Sequence, residues 1–120
     1  MTPGGDATPT SQWLRGVLDL CLLAVVSDEP AYGYEMTRRL ADAGLDVVAD
    51  GSIYPALARL ERDGSVTTFR APGESGPPRK YYRITPAGRR ALRDGQRQWQ
   101  GFSEGVARVL DVDVRNGVRS

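Results

Sequence analysis

The chain contains no histidine and a single cysteine, Cys21, among its 120 residues. Ser–His and Cys–His nucleophile activation is excluded for want of the base. Zinc and most other transition-metal sites draw on His and Cys, so no metal site is expected. One cysteine makes no intrachain disulfide, which suits the cytosol. Cys21 lies in a solid apolar run, where a packed thiol is expected rather than a reactive one. That run, Leu20 to Val26, is the longest apolar stretch and falls far short of the ~20 residues of a membrane span. Residues 1–11 hold Pro, Gly, Thr and Asp with no basic start, so they read as a flexible tail and not as a signal peptide. Residues 111–120 read as a second tail, and the expected location is cytoplasmic.

What is present is one small domain with an uneven charge. The formal net charge is +1, yet residues 52–93 hold nine Lys and Arg (59, 62, 70, 79, 80, 83, 89, 90, 93) against three acids (61, 63, 74), a net of +6. The remainder carries −5. A basic patch on an acidic body is the electrostatic footprint of a polyanion-binding face, although a solvated charged surface has the same composition.

The periodicities order the elements. Residues 13–27 (WLRGVLDLCLLAVVS) are apolar almost all round, as in a helix buried on most sides, and Pro30 lies just past its end. Residues 32–43 form a second helix with Met36 and Leu40 on one face and Gly44 as its C-cap. A third begins at Ser52, an N-cap residue, with Pro55 in its first turn. Ile53, Leu57 and Leu60 form its buried stripe, and Gly64 closes it. Residues 65–71 (SVTTFRA) and 79–85 (RKYYRIT) read as two strands around a Pro/Gly-rich hairpin tip. In the second strand Lys80, Tyr82 and Ile84 share one face, with Tyr82 and Ile84 the core side. Thr85-Pro86 then opens a long helix to about Leu110, with a stripe of Leu92, Trp99, Phe102, Val106, Val109 and Leu110. Gly95 and Gly101 within it each cost ~1 kcal/mol relative to alanine, which marks close helix approach or space for a ligand.

The expected fold is mainly α with a small β-hairpin: a winged helix-turn-helix over residues 12–86, then a dimerisation helix over 87–110. In that order the third helix presents its first residues to the major groove. Ser52 and Tyr54 offer hydrogen bonds to phosphate or base edges, Ile53 an apolar edge, and Arg59 an exposed charge. Arg79 and Lys80 stand at the wing tip, suited to phosphates or a narrow minor groove. Taken singly, Ser52 is equally a cap, Tyr54 a packed ring, and Arg79 and Lys80 solubilising charges.

Three motifs resemble the PadR family of bacterial transcriptional regulators: Tyr32-Gly33-Tyr34-Glu35, the Gly51–Gly64 segment (GSIYPALARLERDG) and the Gly76–Gly88 segment (GPPRKYYRITPAG). The resemblance covers residues 14–110 and is closest to short members with a single helix after the wing. It implies a homodimer that represses promoters through inverted-repeat operators, with residues 52–63 as recognition helix and 66–84 as wing. The implied DNA-binding set is Tyr34, Ser52, Ile53, Tyr54, Arg59, Arg79 and Lys80; Ala56 is too small to read much. The last helix would pack on the partner's first helix, giving an interface of Trp13, Leu18, Leu22, Trp99, Phe102, Val106 and Val109. An exposed apolar stripe on so small a domain independently marks an interaction site. A two-fold dimer would set two recognition helices ~34 Å apart.

Drug-sensing short members also imply a planar, hydrophobic effector at the dimer interface, held here by Trp99 with Leu20 and Phe102. A tryptophan that only fills the dimer seam accounts for Trp99 at least as well. No cofactor is implied, and an enzyme is the weakest reading. Two others remain: a winged-helix module that binds protein and not DNA, and a small-molecule binder whose ligand is unlinked to DNA.

Overall fold

A computed structural model describes residues 17–45, 53–73 and 76–112. Its elements run α1 (Leu18–Asp28), β1 (Ala31–Tyr32), α2 (Gly33–Asp42), α3 (Ile53–Arg62), β2 (Val66–Ala71), β3 (Arg79–Ile84) and α4 (Pro86–Leu110). Both expected terminal tails, apart from Asp111 and Val112, lie outside the described residues, as do Trp13 and Ser52.

The helices end where local chemistry stops them. Gly64 takes φ 78°, and Ser65 N–H donates to Leu60 O at 2.9 Å while Gly64 N–H donates to Glu61 O at 3.1 Å. This paired closure satisfies the last carbonyls of α3. Gly44, at φ 93°, closes α2 in the same way through Leu45 N–H to Leu40 O at 2.8 Å. At the start of α4 the Thr85 hydroxyl accepts from Gly88 N–H at 3.0 Å, and Pro86 occupies the first helical position, where its missing N–H costs little.

A third strand had no signature in the sequence. Ala31 and Tyr32 pair antiparallel with Tyr82 and Tyr81, giving the order β1-β3-β2. The helix expected from residue 32 therefore starts at Gly33, with Tyr32 as its N-cap. Tyr32 N–H donates to Glu35 Oε1 at 3.2 Å, half of a capping box. In the hairpin, Val66↔Ile84 through Ala71↔Arg79 are in register. Tyr82 and Ile84 are buried, as the alternation of β3 requires.

The core lies between α1 and everything else. Leu22 on α1, Met36 on α2 and Leu57 on α3 are its largest fully buried side chains. Leu18, Leu23 and Val26 join them from α1, Ile53, Ala56 and Leu60 from α3, and Leu92 from α4. Cys21 packs at the edge of this core, where burial pushes its thiol up from the ordinary value.

The junction between wing and α4 leaves no room for a side chain at Gly88. A Cβ there would overlap Ser65 O, well inside contact distance, and stand 2.8 Å from Ile84 Cγ1. The same Ser65 carbonyl accepts Thr85 N–H at 3.0 Å, so it is held in place. Gly88→Ala should lower stability by about 1–3 kcal/mol, overpacking outweighing the gain in helix propensity. Thermal denaturation followed by circular dichroism measures this; an unchanged or raised Tm would refute it.

Candidate nucleic-acid interface

Two tyrosines stand together at the heads of α2 and α3. Tyr34 and Tyr54 are each 60% exposed although both are large aromatic residues. The Tyr54 ring lies across Gly33, the first residue of α2: a Cβ on Gly33 would come 2.6 Å from the Tyr54 hydroxyl oxygen and 2.8 Å from Cε1. Glycine at position 33 therefore leaves room for the Tyr54 ring to lie over the start of α2. The Arg38 guanidinium stands 6.0 Å from the Tyr34 ring centroid, one turn further along α2. The result is an exposed cluster of two phenols and a guanidinium beside the first turns of two helices. The N-terminal end of a helix favours an anion.

The inner face of α3 belongs to the core. Ile53, at 3% exposure, does not offer the apolar edge expected of it, because it anchors the first turn of α3 against the body. Ala56 is buried as well, so its limit on readout is position and not size. Opposite that face, Pro55, Ala58 and Arg62 are exposed, with Tyr54 and Glu61 on one flank and Arg59 on the other. Arg62 stands nearly diametrically opposite the buried stripe. Its place was readable from the helical period once Ile53, Leu57 and Leu60 had set the phase.

Three basic residues expected to reach outward are instead held by protein partners. Arg59 makes a two-pronged ion pair with Asp19 of α1, Nη2 donating to Oδ1 at 2.8 Å and Nε to Oδ2 at 3.2 Å. The hydrogen bonds to Asp19 and then its charge hold the guanidinium above its ordinary value, against a desolvation that counts for more than the added charge of Asp63. Arg79 lies back over the Tyr32 ring at 4.6 Å and donates from Nη1 to the Tyr32 hydroxyl at 3.1 Å. Lys80 Nζ stands 3.9 Å from Glu61 Oε1, joining the wing to the last turn of α3, and remains exposed.

These contacts continue across the outer face of the sheet. Tyr32 meets Tyr81 edge-on at 5.4 Å, Tyr81 stacks on Phe69 at 5.4 Å, and Arg83 covers Phe69 at 4.4 Å. The wing is thereby held to the start of α2 through side chains as well as through the β1–β3 ladder. Arg62 and Arg70 remain exposed on α3 and β2.

The apolar stripe of α4 divides into two parts. Near its start the helix packs on α1, and Leu20 covers Gly95. Further along, Phe102, Val106 and Val109 are exposed, Val109 at 85%, and with Gly101, Gly105 and Leu110 they line an open trough. Trp99 is exposed at the head of this face, its ring 5.9 Å from that of Phe102. Leu18 and Leu22, expected at a subunit interface, are buried in the chain's own core and have no surface to offer a partner. An all-round apolar helix does not show which of its faces the monomer has already covered. Among the described residues no helix is long and apolar enough to cross a membrane, and no group of three potential metal ligands occurs.

Comparison with known proteins agrees with this fold. Residues 22–94 match the transcriptional regulator PadR-like family. Transcriptional regulator Rv3488 of Mycobacterium tuberculosis is 35% identical over 106 residues, which span 88% of this chain and 97% of that protein. Among solved structures, a PadR-like transcriptional regulator of Bacillus cereus is 37% identical with a TM-score of 0.75, covering 86% of this chain and all of that one. A PadR family regulator of Eggerthella lenta is also 37% identical, with a TM-score of 0.72 over 85% of this chain and 88% of its own. The family is one of transcription regulators and not of enzymes. A winged helix-turn-helix with one long helix after the wing, matched over most of its length by such proteins, places this chain in the PadR-like family of transcriptional regulators.

Proposed function

We propose that the protein is a homodimeric DNA-binding regulator that represses transcription from inverted-repeat operators. The observation that carries this reading is the exposed Tyr34–Tyr54–Arg38 cluster at the joined heads of α2 and α3. Exposed phenols beside two helix N-termini are suited to phosphate oxygens, and the outward stripe of Tyr54, Pro55, Ala58 and Arg62 follows the groove from there. Arg59, Arg79 and Lys80 serve chiefly to set the pose of α3 and the wing, with Lys80 the freest of them to reach phosphate. The net +6 of residues 52–93 supplies the sequence-independent attraction and argues against a wing that binds only protein.

The apolar face of α4 supports the dimer. Phe102, Val106, Val109 and Leu110 are exposed along one helix, an arrangement a soluble domain of this size keeps for a partner. A second copy packed there would complete the hydrophobic seam and set two α3 helices facing successive turns of DNA. Trp99 and Phe102, with Leu20 nearby, would line a site for a flat hydrophobic effector that shifts the dimer away from its DNA-bound form.

Four results test the reading. Tyr54→Ala should weaken binding to the chain's own promoter DNA roughly tenfold, about 1.4 kcal/mol, with only a small change in Tm because most of the side chain is exposed. Arg62→Ala should lower the slope of log affinity against log salt by about 1. Fluorescence anisotropy at several salt concentrations measures both, and wild-type affinity in both variants would overturn the assignment.

Val109→Asp combined with Phe102→Glu should convert a dimer to monomers in light scattering; an unaltered mass would remove the α4 seam. For the effector, a Trp13→Phe background leaves Trp99 as the sole fluorescent tryptophan. Planar polyaromatic dyes should quench it and release DNA, and unchanged fluorescence and affinity would sink the sensor.

A further inference from the structure

Consecutive residues of α1 carry contacts to two different elements. Asp19 grips Arg59 of α3 through both carboxylate oxygens, at 2.8 and 3.2 Å. Leu20 covers Gly95 of α4 so closely that a Cβ at Gly95 would stand 2.5 Å from Leu20 Cδ1, 3.3 Å from Cδ2 and 3.4 Å from Cγ. Successive helical residues project about 100° apart, so α1 shows one flank to α3 and the next to α4.

Neither contact is explained by stability alone. Exposed ion pairs contribute little to folding, and both Asp19 and Arg59 keep a large part of their side chains in water. What a two-pronged arginine–carboxylate pair does supply is a fixed orientation. Arg59 stands on the flank of α3, so holding it refines the rotation that the buried Ile53, Ala56, Leu57 and Leu60 already give α3, and with it the direction of Tyr54 and Arg62. Gly95 is a poor helix former in the middle of a long helix, and a side chain there would have to displace the Leu20 methyl groups that now lie against it.

We infer that Asp19 and Leu20 form a joint through which the seating of α4 on α1 sets the orientation of the DNA-facing helix α3, with Asp19 as a positioning residue. The inference rests on the reading of α3 as the helix that faces DNA. It gives any event at the α4 face a route to α3: a change in how α4 seats on Leu20 turns α1, and Asp19 carries that turn to Arg59.

The test uses the Arg59 Nε–Hε cross-peak in 1H–15N spectra of the DNA-free protein, assigned by its loss in Arg59→Lys. Gly95→Ala forces Leu20 from its seat and should move or broaden this signal, and Gly95→Ala with Leu20→Ala should return it towards the wild-type position. Should Gly95→Ala fail to fold, Leu20→Ala alone empties the seat and should shift the same signal. An Arg59 signal unmoved by these changes, while Asp19→Asn moves it, would overturn the joint.

Promoter-DNA affinity supplies a second arm. Gly95→Ala should weaken binding by about fivefold to tenfold, the lower range of coupling between sites. In an Asp19→Asn background it should have no further effect, whereas multiplying losses would refute the coupling. Asp19→Asn should itself weaken binding with little change in Tm. If the wild-type protein binds no DNA, the functional reading fails while the cross-peak still decides the joint.

Discussion

Most of this small domain is built against one helix. α1 contributes Leu18, Leu22, Leu23 and Val26 to the core and touches α2, α3, α4 and β3. Burying an apolar side chain fully is worth about 1.5–3 kcal/mol, and those four on one short helix are what hold the surrounding helices at fixed distances. Close packing then makes the arrangement stiff, so the polar contacts at the rim of α1 register orientation and add little to stability. Asp19 with Arg59 and Leu20 with Gly95 act at that rim.

The basic residues divide by the same logic. Arg59, Arg79 and Lys80 each bridge two elements, α3 to α1, wing to β1, and wing to α3. Arg38 and Arg62 sit on outward faces, and Tyr34 and Tyr54 lie beside them over helix starts. A DNA-facing surface needs both kinds. Side chains that touch phosphate are useful only if the helix and wing beneath them hold their pose when the charge of DNA arrives, because affinity depends on preorganised donors. The family match over residues 22–94 takes in both kinds.

Much of this is legible in the residues alone. The stops at Gly44 and Gly64, the Thr85–Pro86 start and the alternation of Tyr82 and Ile84 are local signals, decided by backbone freedom, capping and period. β1 was not legible because two residues are too short to show a period. Ile53 was assigned two roles at once, core and DNA edge, and only its burial separates them. Leu18 and Leu22 were placed at a partner because an all-apolar helix has no polar face to set its phase.

The sequence by itself determined the order of the helices and the hairpin, most of their ends, the basic stretch and the family. Each depends on residues close together along the chain, where sterics and hydrogen-bond chemistry act directly. Only the tertiary structure decided which charged groups are free and which are held, since Arg59 and Asp19 are 40 residues apart and Arg79 and Tyr32 are 47 apart. The same holds for Gly95, whose purpose is visible only with Leu20 against it, and for Gly33 beneath Tyr54. Those pairings follow from how helices seat on one another, a property of the whole core that no local window contains.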